Sequence, residues 1–294
     1  MKRFFAMILV FVAALVLVGC GEKEFKTDGE FTAFEVGTTY DGAPQVTSVT
    51  VTIEKGKIAK FYIDCRQGKV TKDANNKVTA VAWNTKTKKE LKEDYGMKDV
   101  SAIGKEWYEQ AKALEDHFLA NGTNLTVDKE GFIQGVAGVS IKDGGYSKLA
   151  KKAVDNAKAS KFVVFEHSAN YDGTSAITWV ELVVEKKKAK SIFIDCRQST
   201  LKADGSGLAW NVKTKKELKF DYNMKPVSEI GKEWFEQAEA IEAQILANGP
   251  NSVTVNTDGY ITGLAGVSIK DGGYTKLAKA AYKAAGLDAS ASKK

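Results

Sequence analysis

The sequence predicts an α+β protein made of two tandem homologous domains, each a mainly antiparallel sheet with two helices. Three observations predict it. Several long segments occur twice, once in each half of the chain. Runs of alternating, β-branched residues are split by short polar turns, the pattern of hairpins. Apolar residues also recur at helical spacing in two stretches of each half.

The repeat comes first, because it sets the architecture. Ile63-Asp64-Cys65-Arg66-Gln67 returns as Ile194-Asp195-Cys196-Arg197-Gln198, and Thr87-Lys88-Lys89-Glu90-Leu91 returns as Thr214-Lys215-Lys216-Glu217-Leu218. Ile103-Gly104-Lys105-Glu106-Trp107-Tyr108-Glu109-Gln110 returns as Ile230 to Gln237 with Phe235 for Tyr108. Ala137-Gly138-Val139-Ser140-Ile141-Lys142-Asp143-Gly144-Gly145-Tyr146 returns unchanged as Ala265 to Tyr274. The offsets are 131, 127, 127 and 128 residues, so the copies differ by small loop changes. A period this long marks tandem domains rather than a solenoid, whose units are about 20–50 residues. The expected organisation is a leader at 1–20, domains at 25–158 and 161–287, and a disordered Ala/Ser/Lys tail at 288–294.

Each element follows in order. Val46 to Ile53 alternates and reads as a strand, Glu54-Lys55-Gly56-Lys57 as a turn, and Ile58 to Cys65 as the returning strand. In the second copy, Ile177 to Glu185 and Ala189 to Cys196 flank the turn Lys186–Lys188. Ser101 to Asn121 is expected to be a helix, with Ile103, Trp107, Ala111, Leu114 and Phe118 on its apolar face and Gly122 closing it. Asn124–Val127, Gly131–Gly135 and Val136–Ile141 read as short strands and loops. Asp143 is the expected N-cap of a closing helix from Tyr146 to Ala157.

The first twenty residues read as an address. Met1-Lys2-Arg3 is a positive start, Phe4 to Val18 an uncharged apolar run, and Leu17-Val18-Gly19-Cys20 ends it. The pattern fits a signal peptide and resembles a bacterial lipobox, in which Cys20 is diacylated and becomes the new N-terminus. The chain is then expected on the extracytoplasmic face of the cell membrane, held by lipid.

Composition narrows the function. The 294 residues carry 43 Lys+Arg against 37 Asp+Glu, a formal charge of +6. Arg3, Arg66 and Arg197 are the only arginines. Nucleic-acid grooves depend on bidentate and stacked Arg, so no nucleic-acid partner is expected. The two histidines, His117 and His167, are not equivalent in the repeat, which argues against a duplicated metal or Ser/His/Asp site. No Cys-x-x-Cys, Walker or dinucleotide-binding motif occurs. An enzyme using Asp64 or Glu106 as a general acid lacks a base at matched spacing.

Other duplicated residues have two readings each. Cys65 and Cys196 are a redox or metal pair, or small buried residues on strands, the reading favoured here. Arg66 and Arg197 are a phosphate clamp, or pair with a neighbouring carboxylate. Trp107 and Trp234 read as core anchors, and Trp83 and Trp210 as rings exposed enough to meet a ligand. The unchanged ten-residue segment is the most informative. Its glycines allow close backbone approach, the following helix N-terminus favours an anion, and Ser140 and Ser268 place a hydroxyl beside it.

These residues bring in a resemblance. The chain resembles the FMN-binding domain family over nearly all of both copies. That family includes the C subunit of the sodium-pumping NADH:quinone reductase, the G subunit of the Rnf complex and PplA-type flavin lipoproteins. The runs Thr87 to Gln110 and Thr214 to Gln237 look like the lipoprotein branch. In the family a flavin transferase joins the FMN phosphate to the last hydroxyl of a motif like Asp-x-x-(Ser/Thr)-Gly-Ala-Thr. Here Gln134 to Ser140 and Thr262 to Ser268 match it at Gly138 and Gly266, and Ser140 and Ser268 stand at the acceptor position. The Asp, the first hydroxyl and the Ala are replaced.

The resemblance implies an extracytoplasmic electron carrier, not a turnover enzyme, with FMN in each repeat. The flavin is linked through Ser140 and Ser268, held without a bond, or lost. Its implied cofactor residues are Ser140, Ser268, Gly138, Gly266, Asp143, Asp271, Gly144, Gly272, Tyr146 and Tyr274. The two Asp also read as helix caps, and the two Tyr either stack on the ring or pack the first helical turn. Implied partners are a flavin transferase, a quinone-linked membrane donor and a diffusible acceptor. The alternative is a flavin-free surface lipoprotein that captures a small anionic ligand or serves as an interaction module.

Overall fold

The computed structural model describes residues 24–290. The leader, Cys20 and the last four residues of the tail lie outside them. The architecture is α+β in two like halves. The first holds β1 (Gly29–Thr38), β2 (Pro44–Glu54), β3 (Lys57–Lys72), β4 (Val78–Trp83), α1 (Lys88–Leu91), α2 (Trp107–Asn121), β5 (Thr126–Val127), β6 (Ile133–Gln134) and α3 (Tyr146–Lys158). The second holds β7 (Lys161–Ala169), β8 (Ser175–Glu185), β9 (Lys188–Leu201), β10 (Leu208–Trp210), α4 (Lys215–Leu218), α5 (Trp234–Asn248), β11 (Thr254–Val255), β12 (Ile261–Thr262) and α6 (Tyr274–Ala284). The main sheets are antiparallel meanders, β1-β2-β3-β4 and β10-β9-β8-β7, and each half adds a two-stranded ribbon. No described helix is long and apolar enough to cross a membrane.

The hairpin read from Val46 to Cys65 is β2–β3. Val49, Val51 and Ile53 alternate inward and meet Phe61 and Ile63 on the returning strand. β3 continues to Lys72, beyond the expected end at Cys65, because β4 offers it a second partner from Gly68↔Trp83 onward. That extension is polar and lacks the alternation that marks a half-buried strand. The edge strands β1 and β7 complete the sheets. α2 and α3 cover the inner face and bring Trp107, Leu114, Phe118 and Leu149 onto it, and each large apolar side chain fully buried there contributes about 2–3 kcal/mol.

The helix expected over Ser101–Asn121 begins only at Trp107. Gly104 has φ +63°, which a right-handed helix excludes. Glu106 instead ends a tight loop: its carboxylate accepts the Met97 and Lys98 N–H groups at 2.9 and 3.0 Å, while its own N–H donates to Glu109. Ile103 is therefore outside the apolar face and exposed. Glu233 repeats this arrangement with Met224, Lys225 and Glu236. At the other end of the chain, Ala289 and Ser290 hydrogen-bond to Asn251.

The two halves share one buried core and meet partly through equivalent residues. Phe31 packs on Phe162 and Phe34 stacks on Phe165, both with ring centroids 4.5 Å apart. Backbone also crosses the seam, with Val78 N–H donating to Gly205 and Leu208 N–H to Gly42. Val78, Val81 and Leu208 form a small second core under these contacts.

Candidate functional site

The ten-residue segment does not form one pocket. It divides between two places, and the division is the same in both copies.

The first is a corner around Ser140. The chain leaves β6, turns at Val136–Val139 and returns, with Ile133 N–H donating to Ile141 O at 3.0 Å. Gly138 has φ +79°, a conformation that favours glycine. The Lys105 ammonium lies over it, so that a Cβ at Gly138 would stand 3.0 Å from Nζ. Ser140 is fixed from beneath by Gln110, fully buried on α2. The Gln110 Oε1 accepts the Ser140 N–H at 2.8 Å and the hydroxyl at 3.3 Å, while its Nε2 donates to Ser101 Oγ and Lys105 O. Gly266 at φ +81°, Lys232, Ser268 and Gln237 repeat every contact. Among the described residues neither Lys105 nor Lys232 has a carboxylate within ion-pair distance. Each corner thus combines an unneutralised ammonium, a bare backbone and a half-buried hydroxyl whose proton is directed at Gln.

The second place is the start of α3. Gly145, not Asp143, is the N-cap, at φ +87°. Asp143 caps from two residues further back, accepting Ser147 N–H at 3.0 Å and the Ser147 hydroxyl at 2.5 Å. Glu35 approaches from β1: a Cβ at Gly145 would lie 2.6 Å from its Oε1. The positive end of α3 therefore already faces two of the protein's own carboxylates, and an external phosphate would meet repulsion there. Asp271, Thr275, Gly273 and Glu166 do the same for α6. Gly144 and Gly272 are exposed turn residues beside Tyr146 and Tyr274. Those tyrosines are 7% and 4% exposed, and each hydroxyl accepts the indole N–H of Trp107 or Trp234 at 3.2 and 3.1 Å. Burial raises both phenols, Tyr274 to about 12. Of the two roles open to these rings, they occupy the packing one, and Trp107 and Trp234 pack with them in the core.

The other duplicated residues are placed as follows. Cys65 and Cys196 are free and buried, each beneath a threonine hydroxyl or strand neighbour in its own half, and burial pushes both thiols up. Arg66 Nη1 donates to the carbonyls of Asn84 and Thr85, and its Nη2 stands 3.6 Å from Glu90. Arg197 does the same with Asn211, Val212 and Glu217. Both guanidiniums are thus used locally. Trp83 and Trp210, read as rings exposed enough to meet a ligand, are half-buried, and their indole N–H groups fasten the seam by donating to Ser168 O and Gly37 O in the opposite half. Asp64 and Glu106, considered as general acids, have carboxylates engaged by backbone N–H groups. Among the described residues no cluster of His, Cys, Asp and Glu could hold a metal ion.

Lys105, Lys232, Gln110 and Gln237 were missed as site residues by sequence reasoning. All four lie in a duplicated segment that keeps them unchanged and differs only at Tyr108/Phe235, but only folding brings α2 under the Ser140 turn. Also unforeseen are two clefts of about 410 and 440 Å³ between the halves, away from the serine corners.

Comparison with protein-family models gives no match, and comparison with curated proteins gives none. Among solved structures, a solution NMR structure of a structural-genomics target from Clostridium thermocellum is similar. It is 25% identical, spans 45% of this chain and 92% of its own, and superposes with a TM-score of 0.29.

Proposed function

We propose that this protein is a membrane-tethered, extracytoplasmic electron carrier that holds FMN by its phosphate at each of the two serine corners. The observation that carries the reading is the twin corner itself. A phosphate needs a cation, open backbone and a hydroxyl, and Lys105, Gly138 and Ser140 bring these together, as do Lys232, Gly266 and Ser268. The fit concerns the phosphate end. FMN, when bound, supplies the redox chemistry, and the chain's own residues position it.

In this reading Gln110 and Gln237 hold the hydroxyls in place, and the lysines neutralise phosphate charge. A flavin transferase would pass the FMN half of a flavin dinucleotide to the serine oxygen, breaking its diphosphate bond and releasing the nucleoside monophosphate and the hydroxyl proton; a quinone-linked membrane donor would supply electrons and a diffusible acceptor remove them. Cys20 is the lipid attachment point.

The test is the intact mass of protein made with a flavin transferase. Two FMN additions are expected, one lost in Ser140→Ala and the other in Ser268→Ala. Lys105→Ala is expected to lower loading of the first site while leaving the second filled. Retained yellow colour without added mass would mean that flavin is held without a bond. Colourless protein after dialysis against FMN would overturn the carrier reading in favour of a flavin-free lipoprotein.

A further inference from the structure

The two clefts between the halves are lined by equivalent positions of the repeat. Each is bounded by the first strand and last helix of one half and the outer face of the meander of the other. Phe34, Glu35, Lys148 and Arg197 in one correspond to Phe165, Glu166, Lys276 and Arg66 in the other. The scaffold is shared, so the residues that differ set the chemical character of each cleft.

They differ chiefly in aromatic and basic groups, with one added carboxylate, Glu181, where the other half has Thr50. Where one cleft has Ser48, the other has Trp179, half-buried and edge-on to Phe34 with centroids 5.7 Å apart. Lys152, Lys161 and Asn156 stand where the second cleft's half supplies Ala280, Glu30 and Ala284. The Trp179 cleft is lined by four cations and two carboxylates, against two and two in its counterpart. Glu35 pairs with Lys148, Glu181 with Lys161 and Arg197 with Glu217 outside the cleft, which leaves Lys152 as the lining cation with no ion-pair partner among the described residues. An indole wall beside the unpaired Lys152 ammonium suits a flat ring bearing an anionic group. The volume of about 410 Å³ is ample for such a molecule, and Trp179 and Arg197 also border a neighbouring hollow of about 670 Å³ that can take its outer end.

We infer that the cleft between β1, α3 and the β7–β9 face is a binding site for a planar aromatic anion, with Trp179 as the stacking wall and Lys152 as the principal counter-charge. The site is separate from the serine corners and does not depend on the carrier reading.

Calorimetric titration of the purified protein with naphthalene-2-sulfonate tests it, with uncharged 2-naphthalenemethanol as control. The sulfonate is expected to bind at one site, roughly tenfold more tightly than the alcohol, and more weakly as salt rises. Trp179→Ser and Lys152→Ala install the residue types found at the equivalent positions of the other half. They are expected to weaken sulfonate binding by about tenfold and fivefold. Ser140→Ala with Ser268→Ala is expected to change nothing, which separates this site from the proposed flavin corners. If Trp179→Ser does not fold, Lys152→Ala and the salt dependence decide. No binding at millimolar sulfonate, equal binding of the alcohol, or affinity untouched by the cleft variants would overturn the inference.

Discussion

At the scale of single residues, the two halves repeat a buried ion pair that ties sheet to helix. Glu115, 3% exposed on α2, accepts the Ile63 N–H at 2.6 Å and is paired with Lys89. Glu242 does the same with Ile194 and Lys216. Removing the acid strands both a backbone donor and a partly buried ammonium, so Glu115→Ala is expected to cost about 3–5 kcal/mol in urea denaturation. His167 makes a pH-dependent contribution. It faces Trp83 and lies near Arg66, Glu166 and Lys276, and burial, then the Arg66 charge, lowers its pKa below the ordinary 6.5. The unfolded chain therefore takes up a proton first as pH falls. Stability should be full above about pH 6.5 and should decline below it, through the depressed folded value. His167→Val, which installs the residue found at the equivalent Val36, should flatten that part of a Tm profile between pH 7.5 and 5.

Among elements, α2 is the one whose start matters most to the candidate site. Lys105, Glu106 and Gln110 all sit within its entry, so the loop that delays the helix to Trp107 also aims Lys105 at Gly138. Glu106→Ala leaves two N–H groups without their acceptor and is expected to destabilise by about 2 kcal/mol. Glu109→Ala loses only the reciprocal cap and should cost about 1 kcal/mol. Urea titration of both variants separates the loop anchor from the cap.

For the molecule as a whole, the seam between repeats is built like an interior. Gly42 and Gly207 meet backbone to backbone: a Cβ at Gly42 would lie 2.5 Å from Gly207 Cα, and both glycines have positive φ. With the Phe31–Phe162 and Phe34–Phe165 contacts and a shared core, the halves should unfold together. Calorimetric and van't Hoff enthalpies are expected to agree for the whole chain. Gly207→Ala should lower stability by about 2–3 kcal/mol, since no flexible side chain is there to yield. Two separated transitions, or an unchanged Gly207→Ala, would show that the seam carries little energy.

The fold class was legible in the sequence because its determinants are local or repeated: alternation in β2 and β8, the helical period of Trp107 to Phe118, and the duplicated segments. The polar half of β3, the short β4 and the true start of α2 were not, because a partner strand decides the first two and a glycine dihedral with a carboxylate anchor decides the third. The residue types place an anion at the start of the helix after Ser140, with the Ser140 hydroxyl beside it, and the structure separates that helix start from the Ser140 corner. That Lys105 and Gln110 complete it, that Asp143 and Glu35 already occupy the helix end, and that Trp83 and Trp210 face the opposite repeat were decided by tertiary structure alone. The sequence by itself determined two like α+β units and the residue types at their corners. Which side chains meet across sheet, helix and seam depended on long-range packing, which no local pattern encodes.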